Sequence, residues 1–434
     1  MKAAIFLAAS LALAFSSHAQ KISRVDRDLA EGMLDRVSSD VHENYYDPKM
    51  HGLDWDALVH EAKKNIDKAP DLAHANAQIA GLLERLNDSH TRYFPPRYQG
   101  KVDYGWKFQM IGSRAYVTEV SPDSDAQSKG VHAGDQLLTI DGFTVDRASV
   151  PGLTYAMNAV LPRDSLEVDL LDPTQKVLHL TLNAKVKRIP PMVGLGDYSW
   201  YLNQQRIDLE GEFYKQRIRY VGFGSQLMIL QLPSFELSDV GVGQLYTKAR
   251  AYKTLIVDLR GNPGGSIDSL KSFLANLFNR EVPLGQWVER SKNTAVVVKG
   301  NRAHAFTGDL MVLVDSKTAS AGEIFARIVQ IEQRGTVLGD HTSGRTMESR
   351  MFPHELGEQH VYYFGESVTV ADAIMPDGKS LEHVGVQPDR IFLPTPADLA
   401  AGTDPVLAYA AGLAGVNLTP EAAAKLFPPD PPSE

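Results

Sequence analysis

Thr318-Ala319-Ser320-Ala321-Gly322-Glu323-Ile324-Phe325 is the stretch around which the chain is organised. It follows the apolar run 310–314 and opens an amphipathic run that ends near Gln333, so the sequence predicts a strand that turns sharply into a helix. A serine at such a corner is well placed to act as a nucleophile, because the helix N-terminus presents unpaired N–H groups beside it. The alternative is that Ser320 only caps the helix, since serine is among the preferred N-cap residues.

The composition is that of a large folded protein. The chain has 434 residues, of which 43% are hydrophobic and 22% charged. This length predicts about two to four domains. The net charge is -9, so the chain has no excess of basic residues that would favour nucleic acid as a partner. The chain has no cysteine, which excludes a disulfide framework, a thiolate metal site and a cysteine nucleophile.

Residues 1–19 have the pattern of an export signal. Lys2 supplies the positive charge, residues 3–15 are apolar, and Ser17 and Ala19 provide small residues before a cleavage site. We expect cleavage after Ala19 and an exported protein without a stable membrane span, which in a Gram-negative host means the periplasm. The alternative is an uncleaved membrane anchor.

Residues 20–98 predict a helical N-terminal domain. Apolar residues recur every four positions from Val25 to Val41, which places them in one stripe on a helix. Asp54 can cap a second helix, and a third helix ends at a loop that carries Ser89 and His90. A polar residue in a loop is by default exposed or capping, so this pattern alone assigns His90 no chemistry.

Residues 99–188 change to short strands. The run Ser121-Pro-Asp-Ser-Asp-Ala-Gln-Ser-Lys-Gly-Val-His-Ala-Gly-Asp135, followed by Asp141-Gly142, resembles the corresponding run of PDZ domains. The resemblance implies a small β-barrel that captures an extended peptide by strand addition and holds a terminal carboxylate in a backbone nest. A β-barrel without a ligand is the alternative. The residues expected at the nest are Tyr104, Gly105, Trp106 and Phe108.

Residues 189–400 alternate strands and helices, which predicts an α/β core, and residues 401–434 predict a helical segment and a disordered tail. A strand at 254–258 leads into the glycine-rich loop Asp258-Leu-Arg-Gly-Asn-Pro-Gly-Gly265. Glycines let backbone N–H groups approach a ligand closely. The loop lacks the spacing of phosphate-binding motifs, so an oxyanion hole is the better use of these amides.

Four motifs occur in one order along the chain and resemble those of the carboxy-terminal processing (tail-specific) peptidases. They are the loop 258–265, the corner 318–324, Leu86-Asn-Asp-Ser-His-Thr-Arg-Tyr93 and Leu381-Glu-His-Val-Gly-Val-Gln-Pro-Asp389. The resemblance implies a multidomain α/β protein with a ClpP/crotonase-like core, a serine peptidase activity, and no metal or cofactor. It places the nucleophile on Ser320 and the oxyanion donors on Ala321 and on Gly264 or its neighbour Gly265.

The general base departs from the best-known branch of that family, in which a lysine follows a T-x-G pattern. Here Arg345 stands in that position, and a guanidinium cannot be deprotonated in a protein. A second branch, typified by tricorn protease, uses serine, histidine and glutamate. Its pattern falls on His90 as base, with Ser89 beside it, and on Glu382, whose alternative role is that of a solvated loop carboxylate. Arg345 would then bind a substrate carboxylate or pair with a local acid.

The sequence therefore predicts an exported serine endopeptidase whose partners are polypeptides or their C-termini, with homo-oligomers allowed. Two other classes stay open on these residues. One is a pseudo-peptidase that only binds peptides, which the arginine at position 345 favours. The other is an esterase acting on small molecules with the same residues.

Overall fold

The computed structural model describes residues 21–96, 100–188, 218–301, 303–357 and 360–427. The predicted signal peptide, the first part of the predicted core at 189–217 and the last residues of the predicted tail lie outside the described residues. Within these ranges, no helix is both long enough and apolar enough to cross a membrane.

The N-terminal region is a set of helices. They are α1 (Arg24–Asn44), α2 (Trp55–Ile66) and α3 (Leu72–Glu84), with a short 3₁₀ turn at Met50–Gly52. Each begins at a capping side chain, Ser23, Asp54 or Asp71, that accepts a hydrogen bond from the backbone N–H three residues on. The predicted stripe on α1 is buried from Leu29 onward, whereas Val25 at its start is 75% exposed.

The middle of the chain forms an antiparallel sheet. The described strands of this part of the chain are β1 (Arg92–Phe94), β2 (Gly100–Asp103), β3 (Trp106–Ile111), β4 (Arg114–Val120), β5 (Gln136–Ile140), β6 (Phe143–Thr144), β7 (Ser165–Leu171), β8 (Val177–Asn183) and β9 (Lys185–Arg188). Of these, β1, β2 and β9 lie outside the sheet. The sheet order is β3-β4-β5-β7-β8, β6 pairs with β5, and β2 pairs with β9. Helix α4 (Asp125–Ser128) and helix α5 (Val150–Tyr155), which continues as a π-helical turn at Ala156–Val160, pack beside it.

The C-terminal half contains two further sheets. Its described strands are β10 (Arg219–Phe223), β11 (Leu227–Gln231), β12 (Thr254–Asp258), β13 (Val282–Glu289), β14 (Asn293–Val298), β15 (Asp309–Val314), β16 (Thr336–Gly339), β17 (Glu348–Leu356), β18 (Tyr362–Ile374) and β19 (Arg390–Ile391). One sheet has the order β10-β11-β12-β15-β16-β19 and is parallel from β11 to β19. The other contains β1-β18-β13-β14, with β17 also paired to β18.

Helices cover both faces of the parallel sheet, which explains why its central strands are uniformly apolar. Helices α6 (Asp239–Ala249), α7 (Ile267–Ala275) and α8 (Ala321–Ile331) pack on one face. Helices α9 (Pro396–Ala401), α10 (Pro405–Leu413) and α11 (Pro420–Ala424) follow, and α10 and α11 contribute to the core on the other face. The α/β class predicted from the sequence is thereby confirmed.

The long strand β18 connects the N-terminal helices to the C-terminal half. The sequence predicts only short strands between residues 351 and 391, yet β18 runs for 13 residues. Strand β1 pairs with it in the register Tyr93↔Glu366. Its residues Phe364 and Val368 lie in the same hydrophobic core as α1, α2 and α3. This pairing brings the loop before β1, which carries Ser89 and His90, to the C-terminal half of the chain.

Candidate active site

Ser320 lies at the sharp corner between β15 and α8. It is the N-cap residue of α8, with φ +51 and ψ -121, a conformation that non-glycine residues rarely adopt. Its backbone N–H donates to the Arg345 carbonyl oxygen at 2.7 Å and lies 3.2 Å from Glu323 Oε2. A serine held in a strained strand-to-helix turn is the arrangement of a nucleophile elbow, in which the hydroxyl is lifted toward the substrate.

Two backbone amides beside Ser320 are available to a substrate. Among the described residues, the N–H groups of Ala321 and Gly265 have no hydrogen-bond acceptor, and both residues line the cleft that contains Ser320. The N–H of Gly264 instead donates to Asn262 Oδ1 at 2.8 Å. Of the three amides that the sequence offers for an oxyanion hole, those of Ala321 and Gly265 are therefore better placed in this conformation.

Gly264 is nevertheless essential to the corner for a steric reason. A Cβ atom at this position would lie 2.6 Å from the Cβ of Ser320 and 3.0 Å from its Oγ. Its φ of +111 is also one that side-chain-bearing residues avoid. Only glycine lets the loop after β12 approach the serine this closely.

Glu323, which has no role in the sequence-based prediction, fixes the corner through buried hydrogen bonds. Its side chain is fully buried and accepts hydrogen bonds from the Thr342 hydroxyl at 2.6 Å, from Gly344 N–H at 2.7 Å and from Arg345 N–H at 2.8 Å. Burial raises the pKa of Glu323 to about 7, although these hydrogen bonds act in the opposite direction. The spacing Ser320-x-x-Glu323 is a capping-box pattern and was the available sequence signal.

Ser89, His90 and Glu382 form a connected hydrogen-bonded group. Ser89 Oγ lies 2.7 Å from His90 Nδ1 and donates to Glu382 Oε2 at 3.0 Å. The other carboxylate oxygen, Oε1, accepts the backbone N–H of Ser89 at 2.7 Å. With its hydroxyl proton committed to Glu382, Ser89 can accept a proton donated by His90 Nδ1. This arrangement selects the tautomer in which the basic nitrogen is Nε2.

Glu382 is shielded from solvent despite its place in a loop. Its side chain is only 9% exposed, which argues against the alternative of a solvated loop carboxylate. Burial raises the pKa of Glu382, while His383, Thr346 N–H and the Ser89 hydroxyl oppose the shift. Three hydrogen bonds, including one from Thr346 N–H at 3.0 Å, hold the carboxylate in position.

The loop before β1 is itself fixed by Asp88. Its Oδ1 accepts the backbone N–H of His90 at 2.9 Å and of Thr91 at 2.6 Å, and the hydroxyl of Thr369 on β18 at 2.6 Å. Because Thr369 belongs to the long strand, these bonds set the position of His90 relative to the C-terminal half.

Ser89, His90 and Ser320 line one open cleft with a volume of about 280 Å³. Arg345 also lines it, and the backbone of Arg345 contacts both Ser320 and Glu323. Glu382 stands behind Ser89. The apolar residues of the cleft wall are Phe94, Pro263, Ile267, Trp287, Ala321, Ile324, Met347 and Met351.

The residues predicted for a peptide-binding nest lie elsewhere, at the start of the antiparallel sheet. Tyr104 is buried and its hydroxyl donates to the Arg163 carbonyl, while Gly105 has φ +74. Trp106 and Phe108 pack against each other with ring centroids 5.4 Å apart. Within the described residues, none of these four lines the cleft at Ser320.

Comparison with known proteins defines the class to which this fold and site belong. A model of peptidase family S41 matches residues 226–392, and a model of the tricorn protease C1 domain matches residues 27–69. The chain is a serine peptidase, a hydrolase of peptide bonds. These matches confirm the resemblance to the carboxy-terminal processing peptidases that the four motifs predicted.

Two relatives with that activity in their names have low sequence identity to this chain, but the alignments cover most of it. The carboxy-terminal processing protease CtpA of Bacillus subtilis is 24% identical over 361 residues, which are 81% of this chain and 71% of the relative. The carboxyl-terminal-processing protease of Synechocystis sp. is 23% identical over 366 residues, 81% of this chain and 78% of the relative.

Solved structures show the same fold. The structure of mature CPAF complexed with lactacystin gives a TM-score of 0.62 at 14% identity, covering 87% of this chain and 96% of that chain. The structure of the photosystem II D1 C-terminal processing protease gives a TM-score of 0.51 at 19% identity, and the match covers 85% of this chain and 93% of that chain.

Proposed function

We propose that this chain is an exported serine endopeptidase in which Ser320 is the nucleophile, His90 the general base and then acid, and Glu382 the group that orients His90 through Ser89. The observation that carries the proposal is the bridge of Ser89 Oγ between His90 Nδ1 and Glu382 Oε2, beside the cleft that Ser320 lines. A serine hydroxyl is a weak nucleophile until a base activates it, and the base needs a third group to hold its tautomer.

The reaction follows from these positions. Ser320 Oγ attacks the carbonyl carbon of the peptide bond and transfers its proton to His90 Nε2. The N–H groups of Ala321 and Gly265, or of Gly264 after a small shift, stabilise the oxyanion. His90 then protonates the leaving amine, and a water molecule, activated by His90 in turn, hydrolyses the acyl-enzyme. The negative charge of Glu382 stabilises the imidazolium through the Ser89 hydroxyl.

Arg345 has a structural place in this mechanism instead of a catalytic one. Its carbonyl oxygen accepts the N–H of Ser320 and its own N–H donates to Glu323, so its backbone helps to set the strained corner. A guanidinium cannot accept the serine proton.

The antiparallel sheet at residues 106–183 is the region we assign to polypeptide capture, in the manner of a PDZ domain attached to a ClpP/crotonase-like core. Among the strands that the structure describes, β3 lies at the end of the sheet order and pairs with β4. An edge strand can take up an extended peptide as an additional strand. The substrates are then polypeptides or their C-termini, delivered to the cleft at Ser320.

Turnover of an unstructured protein such as casein tests the catalytic assignment. Ser320→Ala should abolish hydrolysis and labelling by serine-directed reagents, and His90→Ala should be about as damaging because the members of a catalytic group act as a unit. His60→Ala, which removes an exposed histidine on α2, is the matched control and should keep full activity. Full activity of Ser320→Ala, or loss on Arg345→Ala with retention in His90→Ala, would contradict the assignment.

A further inference from the structure

A histidine and two carboxylates converge on the side of the β17–β18 hairpin that faces away from the cleft. His354 Nε2 lies 2.9 Å from Asp40 Oδ2 on α1 and 3.1 Å from Glu366 Oε1 on β18. The three side chains each offer one ligand atom, and all of these atoms lie within 4.8 Å of one another. None of the three residues lines the cleft at Ser320.

The second oxygen of Glu366 has no protein partner. Glu366 is 0% exposed, and its Oε2 atom is buried without a hydrogen-bond donor among the described residues. A buried carboxylate oxygen without a donor is costly, and such groups are normally paired or bound to a cation. Two carboxylates share this site with one imidazole, so His354 can supply at most one positive charge for two acidic groups. Arg36 on α1 is exposed to solvent and provides only a partial counter-charge.

The donor set is suited to a divalent cation of intermediate softness. An imidazole nitrogen and carboxylate oxygens bind Zn²⁺ at about 2.0–2.2 Å, and three protein ligands with water in the fourth position are a common arrangement. Two ligands at such distances in a tetrahedral site lie about 3.3–3.6 Å apart. The observed separations of 2.9 and 3.1 Å would therefore widen by a few tenths of an ångström when an ion binds.

Solvent can reach the site from the helix side. The side chains of Asp40 and His354 are 24% and 16% exposed, whereas the side chain of Glu366 is buried. An ion could therefore enter beside Asp40 and keep a water ligand there.

We propose that Asp40, His354 and Glu366 bind one Zn²⁺ ion that joins α1 to the β17–β18 hairpin. The position matters for the cleft because successive residues of a strand point to opposite faces. Glu366 faces α1, and the next residue, Ser367, lines the cleft. Strand β1, which follows the His90 loop, pairs with this part of β18. The ion thus stabilises the sheet on which His90 is positioned.

Zinc binding by the full exported chain, carrying Ser320→Ala and stripped with a chelator, tests the proposal without any peptidase activity. Isothermal titration with ZnSO₄ should show one equivalent bound, and saturating Zn²⁺ should raise Tm by about 3 °C. The same protein carrying Asp40→Asn should bind at least about tenfold more weakly and lose the rise in Tm. Asp40 lies at the solvent side, so this change leaves the buried packing intact.

His354→Asn is the second variant, and His60→Ala is the control for adventitious binding at exposed histidines. Substitution with Co²⁺ gives a visible absorption band that reports nitrogen and oxygen ligands directly, and the band should disappear with His354→Asn but persist with His60→Ala. Two results would overturn the proposal: the absence of any zinc-dependent change in Tm, or zinc affinity that is the same in Asp40→Asn and His354→Asn as in the parent. Neither result depends on whether Ser320 is the nucleophile.

Discussion

Replacing Ser89 by alanine isolates the link between His90 and Glu382. The hydroxyl lies 2.7 Å from His90 Nδ1 and 3.0 Å from Glu382 Oε2, and both contacts are lost in Ser89→Ala. The backbone N–H of Ser89 still donates to Glu382 Oε1 at 2.7 Å, so the carboxylate remains in place. The change therefore removes the relay without dismantling the loop.

The expected loss follows from the strength of the bond in the transition state. A hydrogen bond to a charged group contributes about 1.5–3 kcal/mol, and in the proposed mechanism His90 becomes charged when it takes the proton of Ser320. At about 1.36 kcal/mol for each factor of ten, Ser89→Ala should lower kcat/KM by about 10- to 150-fold. The loss should appear in kcat with KM nearly unchanged, since the bond is stronger in the transition state than in the ground state.

Steady-state hydrolysis of a fluorogenic peptide by the wild type, Ser89→Ala, Glu382→Gln and the double variant provides the assay. If the two residues act through one relay, the double variant should be little worse than Glu382→Gln alone. A folded Ser89→Ala protein with kcat/KM within a factor of about two of wild type would refute the reasoning. So would fully additive losses in the double variant.

Two further expectations concern the corner at Ser320. Above pH 4.5 the unfolded chain releases the Glu323 proton, while the folded chain keeps it up to about pH 7, so stability should fall as pH rises through that window. Urea unfolding at several pH values measures this effect. Between pH 4.5 and about 7, the free energy of unfolding of Glu323→Gln should fall by about 3 kcal/mol less than that of the wild type. If the free energy of unfolding depends on pH equally in both proteins, the folded carboxylate is already charged. Gly264→Ala places a Cβ 2.6 Å from the serine Cβ and should cost about 100-fold in kcat/KM. Gly243→Ala on α6, where a Cβ meets nothing within 4 Å, is its control, and equal activity of the two variants would contradict the steric argument.

The parts of the fold that could be predicted are those that depend on the pattern of neighbouring residues in the sequence. The strand-to-helix turn at Ser320 follows from an apolar run next to an amphipathic one, and the cap at Asp54 follows from residue type. The α/β class follows from the alternation of predicted strands and helices along residues 189–400. Each of these depends on residues within about one helix length of one another, where periodicity carries the information.

The remaining features depend on contacts between distant segments. Strand β18 pairs with β17, β13 and β1 along its length. Its partner in β1 is Tyr93, which opposes Glu366 across more than half of the chain. No local pattern encodes such a partner. The helix at Val150–Tyr155 lies in a region for which the sequence predicts short strands. Its Pro151 is compatible with a helix because it stands in the first helical turn.

In the candidate site, the sequence suggested His90 and Glu382 only through a family pattern. Physical reasoning from residue type favoured an exposed role for each, since loop histidines and glutamates are usually solvated. The burial of Glu382 arises when the loops at 342–346 and 381–386 pack together, where Gly344 and Gly385 allow the backbones to meet. This is a tertiary effect that composition cannot reveal.

The attachment of His90 to β18 through a separate segment makes the proposed catalytic group depend on one strand pairing. Residues 226–392, which the model of peptidase family S41 matches, contain Ser320, the neighbouring amides and Glu382, whereas the proposed base lies at residue 90. The three-residue pairing of β1 with β18 holds the segment after His90 against that region. Local separation of β1 from β18 would therefore remove the proposed base from the cleft while the corner at Ser320 stays folded.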